Sequence, residues 1–441
     1  MSRKIIWFIF LTLCTAVLVY ALYRDLRVEQ RFYGSDLRNR VVGARLIKDG
    51  RSPYFYKWKV ADGMRYYDPD NFDPDNCERG SISVITATPF FHHLLSPIAD
   101  QPQSRLFGIW LVLEYLALIA MILYFFRYAR TPVQKAGVAG VALLFLLTEG
   151  WYIHILYGQY YLFIPFLAML FFSLLQNDKN WLMAGAAGLI AIAAILIRPN
   201  FLLFFLPFLA IIKTYRRNYL IAFFIPVLLL TAWTVLDKKE SALWKDYKTA
   251  VAGHTAYHQH LSPFFHSADY PAFARWEGID TVRMHPPSLS DGENEHGNFF
   301  LLVRRIYKPG LPLPALQLLS LGAILSLLAA FLLRHRTADG YSLPRIALMG
   351  YSLYMVSDFL SPIYRWQYYT TQWLFPLLLA AAVYDRRDKV PFGLLLTGLI
   401  LNIININWTS LEHSLGEYLM LAAILMLSFG RKPAKNGLSY S

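Results

Sequence analysis

Long apolar runs separated by short polar connectors dominate the chain. The first run, residues 5–23, directly follows Arg3 and Lys4, and no small-residue cleavage site comes after it. At about 1.5 Å per residue, such a run crosses a hydrocarbon core of about 30 Å and is expected to remain as a first span. Further runs lie at about 106–126, 136–149, 160–176, 181–197, 201–212, 219–236, 316–333, 346–360, 369–384, 391–406 and 415–429. This pattern predicts twelve transmembrane helices.

Basic residues occupy every second connector. One side holds clusters such as Arg127/Arg130/Lys135, whereas the short connectors opposite hold only Arg198 and Arg365. Because positively charged loops remain in the cytoplasm, both termini are predicted to be cytoplasmic. Two long segments, residues 24–105 and 237–315, then lie outside the membrane. The expected location is the inner or plasma membrane.

The composition agrees with this pattern. Of the 441 residues, 56% are hydrophobic and only 16% are charged, which no ordinary soluble domain shows. The net charge of +13 would suggest nucleic-acid binding in a soluble chain, but most of these basic residues lie in the connectors. Cys14 and Cys77 are too few for a disulfide framework. We expect one all-α polytopic membrane domain over residues 1–441.

Arg198 is distinguished by its depth. Only about twelve residues separate Arg198-Pro199-Asn200 from the basic cluster that begins at Lys213. Twelve helical residues span about 18 Å, which is less than a core of about 30 Å. Arg198 should therefore lie below the outer headgroups. A guanidinium at that depth is costly unless it faces water, protein partners or an anionic ligand, so Arg198 is a site candidate.

Two further outward connectors are unusual for simple turns. The first runs from Thr148 to Gln159 and threads polar residues, including His154, through aromatic ones. The second, residues 361–369, contains Arg365 and comes shortly after Asp358. Their common side predicts one outward-facing, cation-rich cavity.

Asp36 lies in the first outer segment, just beyond the first span, and is surrounded by arginines. Apolar residues recur there at helical spacing while basic residues take the other positions, which predicts an amphipathic helix at the membrane interface. The apolar positions are Leu37, Val41, Ala44 and Leu46/Ile47, and the basic ones are Arg38, Arg40, Arg45 and Lys48. Two interpretations remain open: the helix is an anchor, or its basic face receives a lipid phosphate.

No metal or other cofactor is indicated. Residues 66–76 alternate Asp and Asn with Pro but lack the glycine and the terminal glutamate of an EF-hand loop, so they are expected to form a turn-rich loop. The second outer segment is rich in histidine, yet it contains no HExxH pair or Cys/His grid. Its aromatic and proline content predicts a compact cap over the outer surface.

Several short motifs follow one another in a characteristic order. They are Asp36, residues 50–54 ending in Tyr54, residues 87–90 with 94–97, Gly158-Gln159, Arg198-Pro199, Gly297-Asn298 with Arg304 and Arg305, and Ser361-Pro362 before Trp366. Over about residues 30–385 this order resembles glycosyltransferase family 87. The resemblance implies a membrane bundle of the GT-C fold and a mannosyltransferase that uses a polyprenyl-phosphate-linked donor.

Three positions depart from that family pattern. A lysine is commoner where Arg198 stands, histidines usually follow the tryptophan where this chain has Gln367-Tyr368-Tyr369, and Asn-Gln-Ser is usual where it reads Asn298-Phe299-Phe300. These positions would contact donor phosphate or sugar. The differences therefore concern the donor sugar more than the fold.

The required chemistry indicates a role for each candidate. Glycosyl transfer from a lipid phosphate to a hydroxyl needs a base for the hydroxyl proton and cations for the leaving phosphate. A single displacement inverts the anomeric centre and needs one carboxylate, for which Asp36 is the candidate. Arg198, Arg365, Arg304 and Arg305 are candidate phosphate ligands. Candidate contacts to phosphate or substrate hydroxyls are Gln159, His154, Asn298, Tyr54 and Tyr368.

Two other functions remain open. Twelve spans with both ends inside also fit a secondary transporter, but that class predicts two similar halves joined on the cytoplasmic side by a longer connection than residues 213–218. A ligase or polymerase that uses a diphosphate-linked carrier would share the outward cavity. The favoured prediction is transfer of a hexose, mannose above others, to a glycolipid or cell-envelope glycan on the outer face.

Overall fold

The computed structural model describes residues 3–28, 34–54, 56, 60–66, 86–176, 180–258, 298–299, 303, 312–335, 342–363, 365–403 and 411–430. Within these ranges the regular structure is helical, and no strand occurs. The all-α prediction is therefore confirmed for the described part of the chain. Arg304, Arg305 and most of the predicted outer cap lie outside it.

We number the described helices α1 to α16 along the chain. The first eight are α1 (Arg3–Val28), α2 (Ser35–Lys48), α3 (Pro89–Leu95), α4 (Gln103–Tyr128), α5 (Pro132–Leu146), α6 (Glu149–Tyr157), α7 (Phe163–Leu175) and α8 (Trp181–Ile197). The others are α9 (Leu202–Phe205), α10 (Arg217–Leu236), α11 (Lys238–His258), α12 (Leu313–Arg334), α13 (Leu343–Phe359), α14 (Leu374–Ala382), α15 (Lys389–Leu401) and α16 (Leu411–Phe429).

Most of the described helices lie close to the apolar runs of the sequence, but few are long. Among the described residues, α4, α10 and α12 are long and apolar enough to cross a membrane. The pair α5 and α6, bent by 58°, makes a fourth if it is counted as one span. The predicted run at 201–212 is broken, because the four residues of α9 lie between 3-10 turns at Pro199–Phe201 and Leu206–Thr214. The number twelve stays a prediction.

The polar stretch before Gln159 is a helix and not a simple hairpin tip. Thr148 caps α6 by accepting a hydrogen bond of 3.2 Å from the backbone N–H of Trp151. Gly158 ends α6 in the left-handed conformation, with φ of 63°. Threonine before a helix and glycine after it are ordinary cap signals.

The core is built around α13. It is apolar on all sides, and nearly every side chain from Ile346 to Phe359 is buried, as expected for a helix enclosed by others. It packs against α9, α12, α14 and α16, and it presents Asp358 at its carboxyl end.

The outer faces of several helices are strongly apolar. In α10, Leu228 and Leu229 are each 66% exposed, and α4 presents Val112 and Leu116 in the same way. Exposed apolar surface of this extent requires a lipid or protein neighbour. Together with the spanning helices, it indicates a membrane protein.

The predicted amphipathic helix exists as α2, and its apolar face packs against protein. Leu37, Val41, Ala44 and Leu46 are all nearly inaccessible, and α2 packs against α3 and α6. Helical periodicity marks a buried face without showing whether protein or lipid covers it, and here protein covers it. The location of the helix at the membrane interface stays a prediction.

Candidate active site

Asp36 is held at the start of α2 by the end of α6. The amide of Gln159 donates a hydrogen bond to Asp36 Oδ2, and Arg40, one turn further along α2, has its Nη2 atom 4.0 Å from the same oxygen. Arg40 also donates to Gln159 Oε1 at 2.6 Å and to the carbonyl of Gly158 at 3.2 Å. The Asp36 side chain is 30% exposed. The carboxylate is thus held by Gln159 and Arg40 and remains partly exposed.

Close approach of two backbones makes this arrangement possible. A Cβ atom added to Gly158 would lie 2.7 Å from the Cβ atom of Leu37. This position favours glycine for two reasons: its φ is positive, and there is no space for a side chain. The indole of Trp110 then fixes the next residue by donating to the carbonyl of Gln159 at 3.0 Å. The Gly158-Gln159 motif therefore places an amide against the candidate base.

Arg198 follows α8 directly and lies in an aromatic, largely buried setting. Its Nη2 donates to Asp358 Oδ1 at 2.5 Å. Its guanidinium carbon lies 4.9 Å from the ring centre of Tyr161 and 5.3 Å from that of Tyr369. Among the described residues, the buried Nε–H has no hydrogen-bond partner. A buried charged donor without a partner is costly, so this N–H is suited to bind an anionic group.

An aromatic stack connects Arg198 with the Asp36 cluster. Tyr160 and Tyr161 are stacked with ring centres 4.7 Å apart. Arg40 lies 4.8 Å from the centre of the Tyr160 ring, while Arg198 lies over Tyr161. Tyr368, another predicted contact, stacks on Tyr161 at 5.4 Å. The two cations therefore share one aromatic wall, and this wall connects the candidate base with the candidate phosphate ligand.

Arg365 is placed differently from Arg198. Its Nε donates to Asp358 Oδ2 at 2.7 Å and its Nη1 donates to Glu417 Oε2 at 2.9 Å, and only 1% of its side chain is exposed. Its charge is thus balanced by two buried carboxylates. Glu417 was missed by the sequence analysis, because a single acidic residue in an apolar helix gives no indication of its partner.

Three other candidates make contacts within the protein. His154 Nε2 lies 3.1 Å from Glu114 Oε2, and both side chains are fully buried. The Asn298 amide donates to the carbonyls of Ser361 and Ile363 at 3.2 and 2.6 Å.

Tyr54 also bonds to the protein itself. Its hydroxyl donates to the carbonyl of Ala87 at 2.9 Å. These contacts place His154, Asn298 and Tyr54 in the framework around the site. Their predicted substrate contacts stay predictions.

His92 in α3 supports α2, which carries Asp36. Its Nδ1 lies 3.0 Å from the carbonyl oxygen of Arg40, and it donates there because a carbonyl can only accept. The ring fills the space beside Gly43, where an added Cβ would lie 2.3 Å from His92 Cε1. Complete burial lowers the pKa of His92 to about 3, so the ring is neutral at physiological pH. The contact between Gly43 and His92 is seen in the structure and could not be inferred from the sequence.

Metal-ligating side chains do not gather in the part of the chain that the structure describes. No group of three or more His, Cys, Asp or Glu residues there could hold an ion. The histidines at positions 260–296 lie outside the described ranges.

The fold and site define an α-helical membrane protein with a carboxylate and two arginines along one aromatic wall. The model of glycosyltransferase family 87 matches residues 86–362, which is more than half of the chain. The chain belongs to this family and is a glycosyltransferase. Searches of curated proteins and of solved structures found no match. Arg198 and Asp358 lie inside the matched range, Asp36 lies before it, and Arg365 and Glu417 lie after it.

Proposed function

We propose that the protein transfers a hexose, mannose above others, from a polyprenyl-phosphate donor to a glycolipid or cell-envelope glycan on the outer face of the membrane. The observation that carries this proposal is the hydrogen bonding of Arg198. Its largely buried guanidinium donates one hydrogen bond to Asp358, and among the described residues its Nε–H has no hydrogen-bond partner. A singly charged phosphodiester fits such a partly satisfied cation. Its lipid chain would lie among the exposed apolar helices.

Asp36 is the proposed base. The acceptor hydroxyl attacks the anomeric carbon while Asp36 takes the hydroxyl proton, and the bond from that carbon to the phosphate oxygen breaks with its electron pair going to the phosphate. One displacement inverts the anomeric centre, so a single carboxylate suffices. Gln159 and Arg40 hold the carboxylate ready, and its exposed side is where the acceptor would approach.

Arg198 is the proposed ligand of the leaving phosphate. As the anomeric bond breaks, negative charge grows on the phosphate, and a preorganised cation in a site of low dielectric stabilises it strongly. The rings of Tyr161 and Tyr369 limit the movement of the guanidinium. Arg304 and Arg305 remain proposed as further phosphate ligands, and Tyr368 remains a proposed substrate contact on the aromatic wall.

The proposed topology follows from the basic connectors. Twelve spans, cytoplasmic termini and an outward site at the inner or plasma membrane agree with a donor that carries its sugar on a lipid, because no nucleotide sugar is supplied on that face. The resemblance implies the GT-C bundle, and the described helices support it by their all-α architecture.

The test is glycosyl transfer by purified protein from a panel of radiolabelled polyprenyl-phosphate sugars to membrane glycolipid extracts. Asp36→Asn should abolish transfer, because an amide cannot take the hydroxyl proton. Asp49→Asn, which changes a carboxylate at the other end of α2, is the matched control and should remain active.

Three outcomes contradict the proposal. Full activity in Asp36→Asn would remove Asp36 from the mechanism. Transfer only from a diphosphate-linked glycan would indicate the ligase or polymerase. Substrate uptake into liposomes without transfer would indicate the transporter.

A further inference from the structure

We infer that Asp358, Arg365 and Glu417 form a buried chain of alternating charges that positions Arg198, so that a carboxylate on the last described helix tunes donor binding. This inference rests on the proposed role of Arg198 as the phosphate ligand. It assigns Arg365 to positioning and leaves Arg198 to touch the donor. Glu417 lies outside the range matched by the family model.

The contacts form an unbroken series. Arg198 donates to one oxygen of Asp358 at 2.5 Å, and Arg365 Nε donates to the other oxygen at 2.7 Å. Arg365 Nη1 then reaches Glu417 at 2.9 Å. Asp358, Arg365 and Glu417 are 3%, 1% and 0% exposed, whereas Arg198 is 13% exposed. Of these four side chains, Arg198 is the most exposed and is therefore the one that a ligand can reach.

Glu417 is fixed from several directions. The indole of Trp373 donates to its Oε2 at 2.9 Å, and the hydroxyl of Thr370 donates to its Oε1 at 2.6 Å. The helix that carries it packs tightly, because a Cβ added to Gly416 would lie 2.6 Å from the carbonyl oxygen of Gly398. Close packing through small residues is typical of helix contacts in membranes. The carboxylate therefore cannot withdraw from Arg365.

Glu417 acts on Arg198 indirectly, through Arg365 and Asp358. Asp358 is shared by two guanidinium groups, and its hold on Arg198 depends on how strongly Arg365 competes for it. Glu417 satisfies part of Arg365 and so limits this competition. If Glu417 loses its charge, Arg365 interacts more strongly with Asp358 and draws its carboxylate away from Arg198. Arg198 would then lose its fixed orientation, and donor affinity should fall.

The decisive experiment compares the donor KM and the acceptor KM of wild type and Glu417→Gln. We expect the donor KM to rise about tenfold with the acceptor KM unchanged, as for a buried charge pair that loses one partner. The matched control is Asp25→Asn. Asp25 is also a fully buried carboxylate that accepts from an indole, that of Trp151 at 2.7 Å, and contacts an arginine, Arg24 at 2.9 Å. In the described part of the structure, Asp25 has no contact with Arg198, Asp358, Arg365 or Glu417. The donor KM of Asp25→Asn should therefore stay at the wild-type value.

A milder variant keeps the inference testable if Glu417→Gln does not fold. Thr370→Val removes only the hydroxyl that donates to Glu417 and should raise the donor KM in the same direction by a smaller factor. Glu417→Asp should restore part of the loss, because it returns the charge. An unchanged donor KM in the folded variants, or equal effects on both substrates as from general loosening, would overturn the inference. Wild type that transfers from no lipid-phosphate donor would instead contradict the proposed function.

Discussion

Gln159 donates a hydrogen bond to Asp36 across 123 residues of sequence, and the same amide accepts from Arg40 at 2.6 Å. One side chain thus fixes both the candidate base and the cation beside it. A base that is misplaced by a fraction of an ångström loses much of its effect.

Gln159→Met should therefore lower kcat without changing the donor KM. Methionine fills a similar volume but cannot donate to Asp36 or accept from Arg40. We expect kcat to fall about 10- to 100-fold, as is typical when a general base loses its orientation. Steady-state transfer kinetics test this. A rise in donor KM with normal kcat would place Gln159 at the phosphate instead.

Arg198→Lys should weaken donor binding although it keeps the charge. Lysine lacks the planar fork that reaches Asp358 and a phosphate at the same time. We expect the donor KM to rise about tenfold, with Arg198→Ala more severe. The matched control is Arg24→Lys, since Arg24 also pairs with a buried carboxylate and lies 5.0 Å from a tyrosine ring centre, that of Tyr152. Equal donor KM effects in both variants would exclude a specific role for Arg198.

The helical class and the family could be predicted because both depend on patterns that can be read along the sequence. Apolar runs determine helices, and the order of short motifs determines the family. The burial of α2 was not predictable from Leu37 and Val41, because protein and lipid select the same apolar periodicity. The break around α9 was also missed, since hydropathy does not distinguish an α-helix from successive 3-10 turns.

Within the site, Arg198 was a candidate because of its predicted depth, and Arg365 was treated as the same kind of residue. The two differ in partners and in exposure: Arg365 faces two carboxylates and is 1% exposed, whereas Arg198 shares one of them and is 13% exposed. Arg365 and Asp358 are seven residues apart, but the contacts with Glu417 and Arg198 cross 52 and 160 residues of sequence, which no local pattern contains. Glu417 was overlooked for the same reason.

Gly43→Ala should reduce transfer by displacing α2 from α3. The new methyl group would lie 2.3 Å from the ring of His92, which is enclosed and cannot turn aside. We expect loss of most activity together with a lower unfolding temperature. The double variant Gly43→Ala/His92→Ala should recover part of the activity and part of the unfolding temperature, because alanine at position 92 leaves space for the new methyl group. A double variant worse than either single one would show that the two residues do not interact in this way.

The neutral state of His92 predicts a particular pH dependence of stability. Its pKa is about 3 in the folded protein and 6.5 as an ordinary value, so below pH 6.5 the unfolded chain binds a proton that the folded chain does not. Stability should therefore fall as the pH drops from 6.5 towards 3 and be independent of His92 above that range. Between pH 7 and 5 the loss from this one group is about 2 kcal/mol.

His92→Asn isolates this contribution, because the asparagine amide can still donate to the carbonyl of Arg40 but does not titrate in this range. Unfolding of detergent-solubilised protein, followed at several pH values, should show a shallower acid dependence in the variant than in wild type. Other carboxylates titrate in both proteins, so the difference between the two curves reports His92 alone. Parallel curves would mean that the pKa of His92 is the same in the folded and the unfolded protein, which would contradict the lowered value.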